Sequence, residues 1–92
     1  MARLILPPEL RELAGGASAV PLGAGATTVR AALEQLRHRH PAAYDGVCTE
    51  LREVRPHVNV FVGREDIRWT GGVDTPVAED SEVVILRSVS GG

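Results

Sequence analysis

The sequence predicts an α+β domain in which a mixed β-sheet packs against one main helix. Only one segment, residues 28–36, repeats apolar residues at helical spacing, whereas several short segments have strand character. The most apolar segment, EVVILR at 82–87, is a continuous run, which is typical of a central strand with little solvent on either face. With 92 residues the chain is long enough for one domain with one modest core.

Two short strands are predicted before the helix. Residues 2–6, ARLIL, are the first, and this strand ends at two prolines because proline lacks the backbone N–H that a strand partner needs. Residues 17–22 are the second, between a Gly-Gly turn and a glycine-rich loop. The two segments are close enough in sequence to pair as a hairpin.

The helix is expected to follow the glycine-rich loop. The hydroxyl of Thr27 or Thr28 can cap its N-terminus. Basic residues at 37–40 suit the negative end of the helix dipole, and Pro41 ends the helix. The apolar stripe that should face the sheet consists of Val29, Ala32, Leu33 and Leu36.

The second half of the chain supplies a long connection and three strands. Residues 41–56 lack a clean period, so we expect a short helical turn within a connection. Residues 57–62, HVNVFV, alternate and place their valines on one face. GRED at 63–66 is interpreted as a turn and IRW at 67–69 as a short edge strand, before the final run at 82–87.

The order of elements is therefore strand, strand, helix and then three strands. The final run, as the most apolar segment, belongs in the middle of the sheet beside the first strand. A mixed sheet of about five strands, with one main helix across one face, is the β-grasp or ubiquitin-like arrangement. We expect residues 1–92 to form a single β-grasp domain, with 88–92 as a flexible C-terminal tail.

Composition argues against several classes of function. All ten basic residues are arginine, and twelve acidic residues leave a formal net charge of −2, so no nucleic-acid partner is expected. The single cysteine, Cys48, permits no internal disulfide and is expected to be a buried small hydrophobe. The three histidines have no metal-ligand spacing, so no bound metal or cofactor is expected. Without a signal peptide or a membrane span, the predicted location is the cytoplasm.

The candidate reactive group is the carboxylate of Gly92. No set of side chains resembles an active site, so the protein is not expected to be an enzyme. An α-carboxylate is ionised at neutral pH and resists nucleophilic attack, but a partner enzyme that joins it to AMP would make the carbonyl reactive. Gly91 and Gly92 lack Cβ atoms, so the tail is thin enough to enter a partner's active site.

The chain resembles the MoaD/ThiS family of ubiquitin-like sulfur carrier proteins. Three segments carry the resemblance: PPELREL at 7–13, HVNVFVGREDIR at 57–68 and VAEDSEVVILRSVSGG at 77–92. With the helix between them, the resemblance covers nearly the whole chain. One departure is Glu79-Asp80, where many members have Gly-Asp, and it alters one turn.

The resemblance implies a chemistry for the tail. Gly92 would be adenylated by an E1-like enzyme of the MoeB/ThiF type, which uses ATP, and then converted to a C-terminal thiocarboxylate. Val89, Ser90 and Gly91 would be the residues that enter partner active sites.

Residues 66–77 and the insert at 41–56 look most like the CysO branch of cysteine biosynthesis. That branch implies two further partners, a PLP-dependent cysteine synthase acting on O-phosphoserine and a JAMM-type metalloprotease that frees cysteine. Three alternatives stay open. They are sulfur delivery to a molybdopterin synthase large subunit or a thiosugar synthase, covalent protein modification through lysine, and a non-covalent β-grasp binding module.

The residue pattern alone does not decide which side of the last strand docks partners. Alternation puts Leu4 and Leu6 of the first strand on one face, but Arg87 favours an outward orientation of Val83 and Ile85 in the last strand. The family resemblance instead places the next residue, at 86, on the docking face. The partner-docking residues that the resemblance implies are Arg11, Phe61 and Leu86.

Overall fold

The computed structural model describes residues 1–88. The predicted tail residues Val89, Ser90, Gly91 and Gly92 lie outside the described residues. The strands are β1 (Arg3–Ile5), β2 (Ala19–Pro21), β3 (Val58–Val62), β4 (Glu65–Asp66) and β5 (Glu82–Arg87). They form one five-stranded sheet in the order β2-β1-β5-β3-β4.

The sheet is mixed, as the sequence predicts. β1 pairs antiparallel with β2 and parallel with β5, while β3 pairs antiparallel with both β5 and β4. The final apolar run therefore lies in the middle of the sheet beside the first strand, as predicted.

The described residues include three α-helices beside the sheet: α1 (Pro8–Arg11), α2 (Val29–Arg39) and α3 (Pro41–Val47). Three 3₁₀-helices span Glu12–Ala14, Ile67–Trp69 and Gly72–Asp74. Among residues 1–88, no helix is long and apolar enough to cross a membrane.

The helix α2 covers one face of the sheet through its predicted apolar stripe. All four stripe residues are buried, and the hydroxyl of Thr28 caps the helix by accepting a hydrogen bond from the Ala31 N–H at 3.1 Å. On the sheet, the buried residues of the same core include Leu4, Leu6, Val20, Val58, Val60, Val83 and Ile85. We refer to this side of the sheet as the covered face.

Two local predictions were incomplete or wrong. Residues 8–14 form α1 and a 3₁₀-helix, although the sequence analysis assigned no element there; the signal was Pro8 at the first helical position, followed by Glu9 in the first turn. The predicted edge strand at 67–69 is a 3₁₀-helix, and the strand occupies Glu65–Asp66 instead. The physical reason is the Asp66 carboxylate, which accepts a hydrogen bond from the Arg68 N–H at 2.9 Å and so starts a helical turn.

Candidate functional site: the open face of the sheet and the end of β5

The structure settles which residues of β5 face outward. Val83 and Ile85 have no exposed surface, whereas Leu86 is 47% exposed. The expectation based on Arg87, that Val83 and Ile85 face outward, is therefore wrong. Arg87 shares the side of Val83 and Ile85, but as the last residue of the strand it is exposed, with its Nη2 3.3 Å from Nε2 of His57.

On the opposite side of the sheet, which we call the open face, apolar side chains form a row across three strands. In the strand register, Val84 of β5 lies between Ile5 of β1 and Phe61 of β3. Leu86 lies on the same face one step further along β5, opposite Asn59. All three residues of the row are partly exposed, so the open face presents a continuous apolar strip.

Polar contacts border this strip. The guanidinium of Arg3 in β1 forms an ion pair with the carboxylate of Glu82 in β5. The two residues lie opposite each other in the register of the parallel strands β1 and β5. Near the other end, the guanidinium of Arg68 donates a hydrogen bond to the side-chain oxygen of Asn59. An apolar centre with a charged margin is the usual composition of a protein-binding surface.

Two of the predicted docking residues, Phe61 and Leu86, are brought together on the open face, on adjacent strands. Arg11 ends α1 and is half-buried, where its Nε donates a hydrogen bond to the Leu6 carbonyl at 3.2 Å. Because β1 and β5 are parallel, Leu6 and the C-terminal end of β5 lie at the same end of the sheet. The docking role of all three residues stays a prediction.

The sequence analysis missed Ile5 and Val84 as members of this surface. The signal for Ile5 was present, because alternation places it opposite the buried Leu4 and Leu6. Val84 could not be assigned from a continuous apolar run, because such a run does not reveal which residues face the helix.

Ser88 continues the ladder beyond the last residue of β5. Its N–H donates to the His57 carbonyl at 2.8 Å, and its hydroxyl donates to the same oxygen at 3.0 Å. The first residue of the predicted tail is therefore held against β3.

Cys48 has the environment that the sequence predicts. It is 1% exposed, and burial raises the pKa of its thiol above the ordinary value. The thiol therefore stays protonated at neutral pH, which makes it a poor nucleophile. Within residues 1–88 there is no group of three or more His, Cys, Asp or Glu side chains arranged to hold a metal ion.

The sheet order and the helix across one face define a ubiquitin-like β-grasp protein, and comparison with known proteins identifies the family. Residues 4–92 match the model of the ThiS family, so the chain belongs to the ThiS family. The resemblance to MoaD/ThiS sulfur carriers is thereby confirmed, and so is the predicted fold class.

The relatives agree in sequence and in structure. Sulfur carrier protein CysO from Mycobacterium tuberculosis is 32% identical over 93 residues, which cover 95% of this chain and 94% of that protein. A chain in the crystal structure of the Amycolatopsis orientalis BexX/CysO complex matches with a TM-score of 0.88 and 27% identity, over 100% of both chains. The solution structure of small archaeal modifier protein 1 from Methanosarcina acetivorans matches with a TM-score of 0.83 and 27% identity, over 99% of this chain and 95% of that one.

These similarities define the chain as a sulfur carrier of the ThiS/CysO type, in a family of small carrier proteins rather than catalytic enzymes. The complex of BexX with CysO indicates that carriers of this type associate with other proteins.

Proposed function

We propose that Gly92 carries sulfur as a C-terminal thiocarboxylate and donates it for the biosynthesis of cysteine. The observation that carries this proposal is the family match, which extends to Gly92, together with 32% identity to CysO over nearly the whole chain. The described part of the chain supports it, since the predicted tail begins beside an open apolar face suited to a partner.

The proposed activation proceeds in two balanced steps on a partner enzyme of the MoeB/ThiF type. A carboxylate oxygen of Gly92 attacks the α-phosphorus of ATP, and pyrophosphate leaves. Sulfide then attacks the carbonyl carbon of the acyl-adenylate, and AMP leaves with the former carboxylate oxygen, which produces the thiocarboxylate. The carrier contributes the carbonyl and the docking surface, while the partner binds the ATP.

The proposed acceptor is a PLP-dependent synthase that uses O-phosphoserine. The thiocarboxylate sulfur displaces phosphate, so that cysteine is joined to the carrier. A JAMM-type metalloprotease then hydrolyses the bond between Gly92 and cysteine. A molybdopterin synthase large subunit or a thiosugar synthase would use the same thiocarboxylate with another acceptor.

Intact mass spectrometry tests the first step. The protein is incubated with a MoeB/ThiF-type enzyme, ATP and sulfide, and we expect a mass increase that corresponds to replacement of one oxygen by sulfur. Omission of ATP should abolish the change. A chain without Gly91 and Gly92 is the matched control, which should unfold at the same temperature and gain no sulfur. An unmodified full-length chain under conditions where the enzyme consumes ATP would contradict the proposal.

The acceptor is tested separately with the thiocarboxylate form. We expect a covalent cysteine adduct when the PLP-dependent synthase and O-phosphoserine are added, and free cysteine after addition of the metalloprotease. Sulfur transfer only to a molybdopterin or thiosugar synthase would show that this enzyme, and not the cysteine synthase, is the acceptor. The proposed thiocarboxylate on Gly92 would still hold.

Covalent protein modification is a second candidate, favoured by the similarity to small archaeal modifier protein 1. In this case the activated Gly92 carbonyl would form an isopeptide bond with a lysine amine on another protein. Because this chain contains no lysine, it offers no lysine to which a second copy could be attached. After digestion of cell proteins with trypsin, which cleaves after Arg87, mass spectrometry should then reveal lysines that carry the remnant Ser-Val-Ser-Gly-Gly from residues 88–92.

A further inference from the structure

A groove of about 840 Å³ lies along the part of the β3 edge that the short strand β4 leaves uncovered. Its walls come from the segment before β3 and from the 3₁₀-helices at 67–69 and 72–74. A groove of this volume accommodates a ligand with several side chains. Its apolar lining consists of Leu51, Val54, Pro56, Val58, Val60, Ile67 and Val73. It is separate from the apolar strip on the open face, although Arg68 borders both.

Positive charge dominates the groove, although the whole chain has a formal net charge of −2. Its acidic lining residues are Glu53 and Asp66. The arginines that line it are Arg30, Arg52, Arg55 and Arg68. Two of these are already paired with carboxylates: Arg30 with Asp74 at 3.0 Å and Arg52 with Glu34 at 3.4 Å.

The other two arginines bind only neutral acceptors. Nε of Arg55 donates to the Asp45 carbonyl at 2.8 Å, and Arg68 donates to the Asn59 amide oxygen. Within residues 1–88, neither guanidinium forms a salt bridge with a carboxylate. Each therefore keeps an uncompensated charge and further N–H donors, which are suited to a carboxylate ligand.

The backbone of Val60 adds a directed donor to this groove. In the β3–β5 ladder, the Ser88 N–H bonds to the His57 carbonyl and the Gly63 N–H bonds to the Glu82 carbonyl. Because bonded pairs alternate along an antiparallel ladder, the odd-numbered residues of β3 bond toward β5. The N–H of Val60 therefore points to the opposite edge, where the groove lies.

Among residues 1–88, no neighbouring strand pairs with Val60 at that edge. β4 pairs only with Phe61 and Val62, and the N–H of Val58 is already bonded to the Arg55 carbonyl at 2.9 Å. The carbonyl of Ile67, the residue that follows β4, accepts a hydrogen bond from the Thr70 N–H at 3.1 Å. A ligand strand that supplies a carbonyl at this edge would satisfy a backbone donor that β4 does not reach, and so would gain free energy.

We propose that this groove binds an extended, acidic segment of a partner protein, which adds a strand beside β3. A backbone carbonyl of the segment accepts the Val60 N–H. Its apolar side chains pack on the valine-rich lining, and its carboxylates bind Arg55 and Arg68. A second copy of this chain is a poorer occupant, because a symmetric edge-to-edge pair would bring two sets of arginines together. The proposal goes beyond sulfur carriage and does not depend on the thiocarboxylate.

The backbone part of the proposal is tested by amide hydrogen exchange, measured by NMR on the full chain. In the free protein, the Val60 amide should exchange faster than those of Asn59 and Phe61, which bond to β5. The probe is an acetylated and amidated peptide of eight residues that alternates glutamate and valine. At saturation it should slow the exchange of Val60 by about tenfold or more, and a lysine–valine peptide should not.

The charged part is tested with arginine variants. Arg55→Gln together with Arg68→Gln should weaken binding of the glutamate–valine peptide by about tenfold, in low salt. Arg39→Gln is the matched control, because Arg39 also bonds a backbone carbonyl, that of Pro21 at 2.6 Å, but lies outside the groove. The Arg39→Gln variant should bind the glutamate–valine peptide with the same affinity as the unaltered protein.

Several results would overturn the proposal. These are slow exchange of Val60 in the free protein, no protection by the glutamate–valine peptide, equal binding of the lysine–valine peptide, and unchanged affinity of the double variant. Protection of Val60 that increases with protein concentration alone would identify a second copy as the occupant instead.

Discussion

The two faces of β5 consist of similar aliphatic residues but have opposite environments. Val83 and Ile85 are completely buried on the covered face, whereas Leu86 on the open face is 47% exposed. The difference arises because α2 packs on only one side of the sheet. A continuous apolar strand can therefore serve two purposes at once, since one set of side chains stabilises the fold and the alternate set remains available to a partner.

The largest expected effect separates the two faces by stability. Ile85→Ala should lower the free energy of unfolding by about 3 kcal/mol, because it leaves a cavity in the core. Leu86→Ala should lower it by less than about 1 kcal/mol, because half of this side chain is already in water. Urea denaturation followed by circular dichroism measures both.

A control covers the case in which Ile85→Ala does not fold. Ile85→Val should then cost about 1 kcal/mol and keep the chain folded. Equal losses for the alanine variants at 85 and 86 would show that the two faces contribute equally to the core, contrary to the structure.

The next expected effect concerns function rather than stability. If Leu86 docks the activating enzyme, Leu86→Glu should reduce the rate of ATP-dependent adenylation by about tenfold at subsaturating carrier, because a charge would be buried in an apolar interface. The thermal unfolding midpoint should change little. Pyrophosphate release measures the rate.

Leu51→Glu provides a matched exposed leucine for this experiment. Leu51 is 76% exposed and lines the groove beside β3, next to Arg52, which contacts Glu34 of α2 on the side of the sheet away from the open face. It should leave adenylation unchanged. If both variants lose activity equally, the effect is not specific to the open face, and the docking role of Leu86 is wrong.

The sequence predicted the elements whose pattern is regular and long. The helix stripe repeats over two turns, and the final strand is the most apolar segment, so the positions of α2 and β5 followed from periodicity and burial. The error at 67–69 arose because three residues cannot establish a period, and the Asp66 side chain decides the local structure. A segment of three residues has too little pattern to show that a neighbouring side chain will bind the backbone and produce a helical turn in place of a strand.

The open face and the groove were predictable to different extents. Ile5 could be assigned from alternation, and the family resemblance supplied Leu86, whereas a uniform apolar run left Val83 and Val84 indistinguishable. The groove could not be predicted, because its arginines come from three separate segments that only the folded chain brings together. Its most specific feature, the direction of the Val60 N–H, depends on the register of β3 against β5.

The smallest expected effect is a pH dependence that arises on the covered side of the sheet. Burial raises the pKa of the Cys48 thiol above its ordinary value, so the folded chain keeps the proton at pH values where the unfolded chain loses it. Above about pH 9 the unfolded state therefore binds fewer protons, and the free energy of unfolding should fall as pH rises. Because one thiol releases one proton, the free energy of unfolding can fall by at most about 1.4 kcal/mol per pH unit.

Urea denaturation between about pH 8 and pH 10 measures this decline. The free energy of unfolding should fall less steeply with pH for Cys48→Ala than for the unaltered chain, whereas Leu86→Ala, on the open face, should show the same decline as the unaltered chain. Parallel declines for all three chains would show that the thiol is not desolvated in the folded state.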